Sequence, residues 1–437
     1  MRIAHISPGA GGMLCGACLH DNTLAAALMR QGHEVALIPI YTPMRTDEED
    51  VSEPKIFFGA LNVFLKQRSR LYRRLPTALT GFLNRPGIIR LLARGDATID
   101  AGFLGDLTVS MLQGEEGNQA QELDELVRWL RDDYRPDVVH LSNSLLLGFA
   151  RRLRQELKVP LVCSLQGEEI FLQDLVEPYK QRVHDLLRRR AMDADAFIAP
   201  SSVYAGVMAE MLGVARERIH HVPLGLHLEG HGGPRPVRQD RPFIIGYLAR
   251  ICPEKGLHLL VEAFVELALS RGPEAVRLRV AGYLGGRDRA YFEKVQARVR
   301  SAGLEEVVEF LGEIDRPTKI EFLGNIDVLS VPTPYHEPKG LFVLEALANG
   351  TPVVQPDHGA FPELLAATGG GLLFAPDQPE DLVRALMELR DDPLRRQEMG
   401  RQGRQSVLEL FDDTLMAERT IKIYHGLMSP GASGSGM

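Results

Sequence analysis

The chain has 437 residues, 45% of them hydrophobic and 25% charged, with a formal net charge of −8. This length accommodates two or three domains, and the composition is that of an ordinary soluble globular protein. The acidic balance argues against generic nucleic-acid binding, no run is long and apolar enough to span a bilayer, and four cysteines at this length do not make a secreted disulfide framework.

From the N-terminus, RIAHIS (Arg2 to Ser7) predicts a strand and residues 20–31 a helix. The opening apolar run is short and broken by His5, Ser7 and Pro8, so no signal peptide is expected and the protein is placed in the cytoplasm. Between strand and helix lies SPGAGGMLCGACLHDN, whose glycines permit positive φ and close approach of backbone to a ligand. It is not a dinucleotide fingerprint. Leu14 stands where the third glycine should be, and the next strand, EVALIPIY, has no acidic residue at its end for a ribose. Cys15 and Cys18 form a C-x-x-C pair with two readings: small residues packed in a tight loop, or thiol or metal chemistry with His20 as a third ligand. No second C-x-x-C exists, and the first reading is preferred. No metal site is expected.

Lys66 to Arg94 carries Lys66, Arg68, Arg70, Arg73, Arg74, Arg85, Arg90 and Arg94 among apolar residues. A solvated helical face with Arg stems over apolar neighbours is the preferred reading. A basic surface for anionic lipid or a charged acceptor is the alternative. DVVHLS, PLVCSL and AFIAPS then read as buried strands separated by helical patterns, which implies βαβ units and a mostly parallel sheet. His5, His33 and His140 lie in or beside strands and read as packed residues.

HLEGHGGPRPVRQDRP (His227 to Pro242) is rich in Gly, Pro and charge and reads as a domain linker. Alternation restarts with FIIGYLA, LRVAGYL, VVEFLG, IDVLSVPT and TPVVQP. The first of these runs into GYLARICPEKG, in which Arg250 and Lys255 are five apart on a loop that opens a helix. An Arg fork and a mobile Lys charge suit a diphosphate, both bound and departing. Further on, EPKGLFVLEALANGTPVV places Glu337 in a loop, Gly340 just ahead of an apolar helix of about 341–349, and Glu345 about one turn inside it. A helix start with a glycine that leaves room suits phosphates, and the two carboxylates suit hydroxyl donors on either side. The last periodic segment, 411–428, lies beyond the second domain's final strand, and SPGASGSGM reads as a disordered tail.

Over nearly its whole length the chain resembles retaining, nucleotide-sugar-dependent glycosyltransferases of the GT-B fold, family 4. The resemblance rests most specifically on GYLARICPEKG and EPKGLFVLEALANG. It implies an α/β protein of two Rossmann-like domains whose parallel sheets face across a cleft: an acceptor domain over 1–226, a linker over 227–242, a donor domain over 243–410, and a helix over 411–428 that crosses back to the first domain. It implies that Arg250 and Lys255 stabilise the diphosphate and Glu337 orients the donor sugar. Glu345 would hold the ribose, Gly340 and Leu341 would offer backbone amides, and Gly11 and Gly12 would approach the donor from the first domain. No cofactor beyond the donor substrate is implied. The partners implied are a nucleotide sugar and a glycan, lipid or small-molecule acceptor, with cell-envelope or exopolysaccharide glycan synthesis as one setting; peripheral contact at the inner membrane face goes only with the alternative reading of Lys66 to Arg94.

Three departures stand out. Gln166 in LQGEEIF replaces the family's usual histidine, and it can hydrogen-bond a sugar but cannot titrate. Lys339 replaces a common aromatic and adds a cation beside the phosphates. VPLGLH stands where Asn-Gly and an acidic residue are usual. Two alternatives therefore stay open: a nucleotide-sugar epimerase or hydrolase of the same fold, and a non-catalytic sugar-nucleotide or glycan-binding protein.

Overall fold

A computed structural model describes residues 1–9, 16–69, 72, 101–233, 241–376 and 378–429. Gly11, Gly12 and Cys15, the arginines Arg70, Arg73, Arg74, Arg85, Arg90 and Arg94, and the tail from residue 430 lie outside the described residues. Met1–Gly225 with the terminal helix Asp413–Met428 forms one compact unit, and Leu226–Asp412 forms a second.

The first unit is built on six parallel strands: β1 (Arg2–Ser7), β2 (Glu34–Pro39), β3 (Val138–Leu141), β4 (Leu161–Ser164), β5 (Ala196–Ala199) and β6 (Ile219–His221), in the order β2-β1-β3-β4-β5-β6. Helices cover both faces, which is why β3, β4 and β5 are buried at every position and read as unbroken apolar runs. In register, Ile3 lies between Val35 and Val138. The short outer strand β6, IHH, is partly exposed and polar. It carries none of the apolar pattern that marks the inner strands.

The helix Asp413–Met428 packs on the helix Gly16–Arg30. Met416, Ala417 and Tyr424 join Leu24, Leu28 and Val35 in one apolar cluster, and Arg30 meets Asp413 at 2.6 Å. The Tyr424 hydroxyl reaches His140 Nδ1 at 2.6 Å, while His140 Nε2 meets Ser164 Oγ at 2.8 Å. Burial, with His5 stacked at 4.5 Å, pushes the His140 imidazole well below its ordinary pKa, so it stays neutral.

Lys66 departs from both expectations for the basic stretch. It is 1% exposed and its Nζ lies 2.6 Å from Glu122 Oε1 and 3.0 Å from Gln121 Oε1. An unpaired ammonium could not be buried there, and this residue belongs to the interior rather than to a surface. Arg68 is exposed and stands over the Phe64 ring.

The second unit repeats the architecture with β7 (Phe243–Leu248), β8 (Val276–Ala281), β9 (Val308–Gly312), β10 (Val328–Leu329), β11 (Val353–Pro356) and β12 (Gly371–Phe374), all parallel, in the order β12-β11-β10-β7-β8-β9. The described part of the expected linker is held on this unit. Arg316 donates to the carbonyls of His227 (2.8 Å) and Glu229 (2.6 Å), and Arg404 donates to that of Gly232 (2.9 Å). Among the described residues no helix is long and apolar enough to cross a membrane.

Candidate active site

In the second sheet the strand order reverses between β7 and β10. Loops leaving the carboxyl ends of adjacent strands on either side of such a point diverge and open a crevice. The loop after β7 carries Arg250 and Lys255, and the loop after β10 carries Tyr335, Glu337 and Gly340. The two motifs singled out in the sequence therefore meet because of the topology.

Their junction is tight. Gly256, at φ +69°, ends the short turn Pro253–Lys255, and a Cβ there would stand 1.9 Å from the Pro332 carbonyl oxygen. Only glycine lets the two loops approach this closely. The buried Tyr247 hydroxyl ties the β7 loop together, donating toward the Arg250 carbonyl at 3.1 Å and lying 3.4 Å from that of Lys255. Gly340, also at φ +69°, turns the other loop into the helix Leu341–Ala348.

Lys255 Nζ donates to Glu337 Oε2 and to Tyr335 Oη, each at 2.6 Å, and the Tyr335 hydroxyl also contacts Glu337 Oε2. The ammonium stands 4.8 Å over the Tyr335 ring and 5.7 Å from that of Phe342. Among the described residues these are its only two hydrogen-bond acceptors, which leaves one of its three N–H bonds for a ligand. The Lys255 side chain is 18% exposed and that of Glu337 is 7%. Glu337 Oε1 accepts from the Lys339 and Gly340 amides, each at 3.3 Å. Burial alone would push the Glu337 carboxyl up. The Lys255 charge and hydrogen bond, with those from Tyr335 and Gly340, outweigh it and hold the carboxyl at about 2. Glu337 is thus a fixed anion at neutral pH.

Arg250 sits in the same loop, with its Nε 3.2 Å from Cys252 Sγ and a guanidinium nitrogen 3.9 Å from Glu254. Its side chain is 37% exposed, open to a ligand. Lys339 is half-buried, and its amide joins that of Gly340 in facing Glu337. Leu341 begins the helix, and Glu345 lies within it, paired at 2.5 Å with Lys319 from the helix Arg316–Asn325. Tyr335, Tyr247 and Lys319 are components that the sequence reading did not single out. For Tyr335 the signal was its place two residues before Glu337; for Tyr247, buried in a strand, and for Lys319, on a separate helix, there was none.

In the first unit, Gln166 follows β4 and turns its amide nitrogen inward. Nε2 donates to Asp21 Oδ1 and to the Ser142 carbonyl, each at 2.8 Å. Asp21 also accepts from Ser7 (2.7 Å) and Ser142 (2.5 Å). Burial opposes its ionisation, but the neighbouring His5, with His20 and the Ser142 hydroxyl, holds its carboxyl well below the usual range. Glu168 accepts the amides of Ser144 and Gln166, each at 2.6 Å. Cys18 is buried, and no group of three or more His, Cys, Asp or Glu side chains suited to a metal ion occurs among the described residues.

Comparison with known proteins identifies the class to which this fold belongs. Two family models match: "Glycosyl transferase 4-like domain" over residues 22–225 and "Glycosyl transferases group 1" over residues 234–406. Glycogen synthase of Mycobacterium tuberculosis is 28% identical over 295 residues, 67% of this chain and 69% of that protein. Mannosylfructose-phosphate synthase of Agrobacterium fabrum is 27% identical over 300 residues, 66% and 64% respectively. Among solved structures, sucrose-phosphate synthase from Thermosynechococcus elongatus superposes with a TM-score of 0.72 at 20% identity, covering 98% of this chain and 99% of that one. HepE of Anabaena, in complex with UDP and glucose, gives 0.67 at 18%, covering 98% and 100%. These likenesses define the class: the fold is GT-B. The chain belongs to the family 4-like glycosyltransferases and is an enzyme of that kind.

Proposed function

We propose that the protein transfers a hexosyl unit from a nucleoside diphosphate sugar to an acceptor hydroxyl, with retention at the anomeric carbon. The observation that carries this reading is the Lys255–Glu337 pair at the start of the helix Leu341–Ala348. One N–H of Lys255, the Arg250 guanidinium and the helix start form a patch of positive charge suited to a diphosphate. That HepE holds UDP and glucose supports a donor of this class.

The state of Glu337 favours a particular course. A carboxylate held at about 2 is too weak a base to take a proton from an alcohol near neutrality. Its oxygens are engaged by Lys255, Tyr335 and two amides, which makes it a poor nucleophile. Gln166 cannot titrate at all. The base is therefore the departing diphosphate. The bond from the anomeric carbon to the diphosphate oxygen breaks, the acceptor oxygen bonds to the same face of that carbon, and its proton passes to the leaving phosphate oxygen. Arg250 and Lys255 stabilise the charge that develops there, and no metal is needed to supply it. Glu337 accepts sugar hydroxyls and Glu345 those of the ribose.

NMR of the product formed from an α-linked donor tests this course. An α product supports it and a β product refutes it. Nucleotide and free or epimerised sugar released without acceptor would instead favour a hydrolase or epimerase.

A further inference from the structure

We propose that the second unit carries another binding site, for a small phosphorylated ligand, at the edge of its sheet opposite the crevice of Lys255 and Glu337, with Arg241, Arg277 and Arg396 gripping the phosphate. The inference does not rest on the nucleotide-sugar reading above. The Lys255 and Glu337 loops leave the carboxyl ends of β7 and β10. At the amino ends of β7, β8, β9, β10 and β11 lies a cavity of about 670 Å³, bounded by Ile244, Arg277, Val308, Asp327 and Pro352. Small-molecule sites span about 300–1,000 Å³, so this volume holds more than a single ion.

Its wall carries more positive charge than its own carboxylates match. Asp327 Oδ1 accepts from Arg241 at 3.0 Å and lies 3.3 Å from an Arg396 guanidinium nitrogen, so two guanidiniums converge on one carboxylate. Oδ2 is filled by Arg241 at 2.7 Å and by the Ile244 amide at 2.8 Å. One positive charge is left over. Arg396 is only 8% exposed. Burial and the Arg241 charge pull its guanidinium below its ordinary pKa, against the pull of Asp327. Arg277 adds a second surplus charge. Its hydrogen bond goes to the Glu306 carbonyl at 3.3 Å, and among the described residues no carboxylate pairs with it. Arg279, by contrast, is matched by Glu309 at 2.6 Å.

Helix ends do not account for the surplus. The last carbonyls of the helix Leu341–Ala348 are taken by the Gly350 and Thr351 amides, at 2.8 and 3.0 Å onto Leu347 and Ala346, and the Leu323 carbonyl by the Thr351 hydroxyl at 2.6 Å. The register brings the surplus charges together. Arg277 lies opposite Ile244, whose amide holds Asp327, so Arg277 and Asp327 are two strands apart, about 10 Å along the sheet edge. Side chains as long as arginine close most of that distance. Two unmatched guanidiniums call for a dianion. A phosphate monoester supplies close to two negative charges near pH 7 and several acceptor oxygens for the planar forks. Free phosphate shares that chemistry, and the rest of the volume suits the body of an ester.

The test is calorimetric titration of the full chain, in buffer free of phosphate and sulfate, with inorganic phosphate, ribose 5-phosphate and ribose. Both phosphate probes should bind the wild type and ribose should not. Arg277→Met, at an exposed position, and Arg396→Met, which leaves Asp327 matched by Arg241, should each weaken both probes by about tenfold or more, as expected for a charge-assisted hydrogen bond. Glu306→Gln removes a like charge from the rim and should tighten inorganic phosphate by about two- to fivefold. Should Arg396→Met not fold, Arg277→Met and Glu306→Gln still decide the matter in opposite directions. Lys255→Met should bind the probes as the wild type does. Tighter binding of the ester than of phosphate identifies a phosphorylated metabolite as the occupant, and equal binding identifies free phosphate. A wild type that binds neither probe overturns the inference, as do affinities that Arg277→Met leaves within about twofold. Loss of binding in Lys255→Met with Arg277→Met unaffected would put the phosphate in the opposite crevice and overturn it too. Failure to bind any nucleotide sugar would count against the donor reading alone.

Discussion

Replacing Lys255 with Met removes the cation and leaves Glu337 in a buried position. The wild-type carboxyl lies at about 2 against an ordinary 4.5. That difference corresponds to about 3 kcal/mol in favour of the ionised, folded arrangement. Because the folded value is depressed, this contribution is fully present above about pH 4.5 and is lost as pH falls toward 2. Lys255→Met should therefore be less stable than wild type by about 3 kcal/mol at pH 7, and the gap should narrow between pH 4.5 and 2. Urea denaturation at several pH values measures this directly. Transfer should fall by roughly 10²- to 10³-fold, the usual loss when one donor to a developing anion is removed. The double variant Lys255→Met/Glu337→Gln should recover stability without recovering turnover, which separates the two roles. Equal stability and equal turnover for wild type and Lys255→Met would refute the reasoning.

Other substitutions test the supports. Gly256→Ala should cost about 1–3 kcal/mol from its positive φ alone, with a further penalty from the Pro332 carbonyl, and should lower both melting temperature and turnover. Gln166→Leu removes donors from the buried Asp21 and should destabilise the first unit by about 1–3 kcal/mol in denaturation. Tyr424→Phe loses the hydrogen bond to His140, for about 1 kcal/mol, whereas deleting the chain from Asp413 onward uncovers Leu24, Leu28 and Val35 and should abolish soluble folding. On the proposed mechanism, chelation with EDTA should leave initial rates unchanged, because side-chain cations and the helix start would face the phosphates in place of a metal.

Much of this was legible in the sequence for a physical reason. A doubly covered parallel strand must be apolar on both sides, so RIAHIS, PLVCSL and FIIGYL declared themselves. The edge strands β6 and β12 did not, because one edge meets solvent and IHH and GLLF are short. The site motifs were readable where glycine, charge and helix start are consecutive, as in CPEKG and EPKGLFVLE. What joins them was not. Tyr335 bonds Lys255 across 80 positions, and Lys319 reaches Glu345 from a separate helix. Lys66 shows the reverse error: a charge in a basic stretch that reads as surface is buried because Glu122, 56 positions away, is its partner.

The central claim is that Lys255 and its neighbours grip a nucleoside diphosphate sugar. Calorimetric titration of UDP-, ADP- and GDP-linked hexoses into the wild type and Lys255→Met addresses it most directly. The account predicts saturable binding of at least one donor to the wild type and an affinity at least about tenfold weaker in the variant, as expected for losing a charge-assisted hydrogen bond. No binding of any donor, or binding untouched by the substitution, would contradict it.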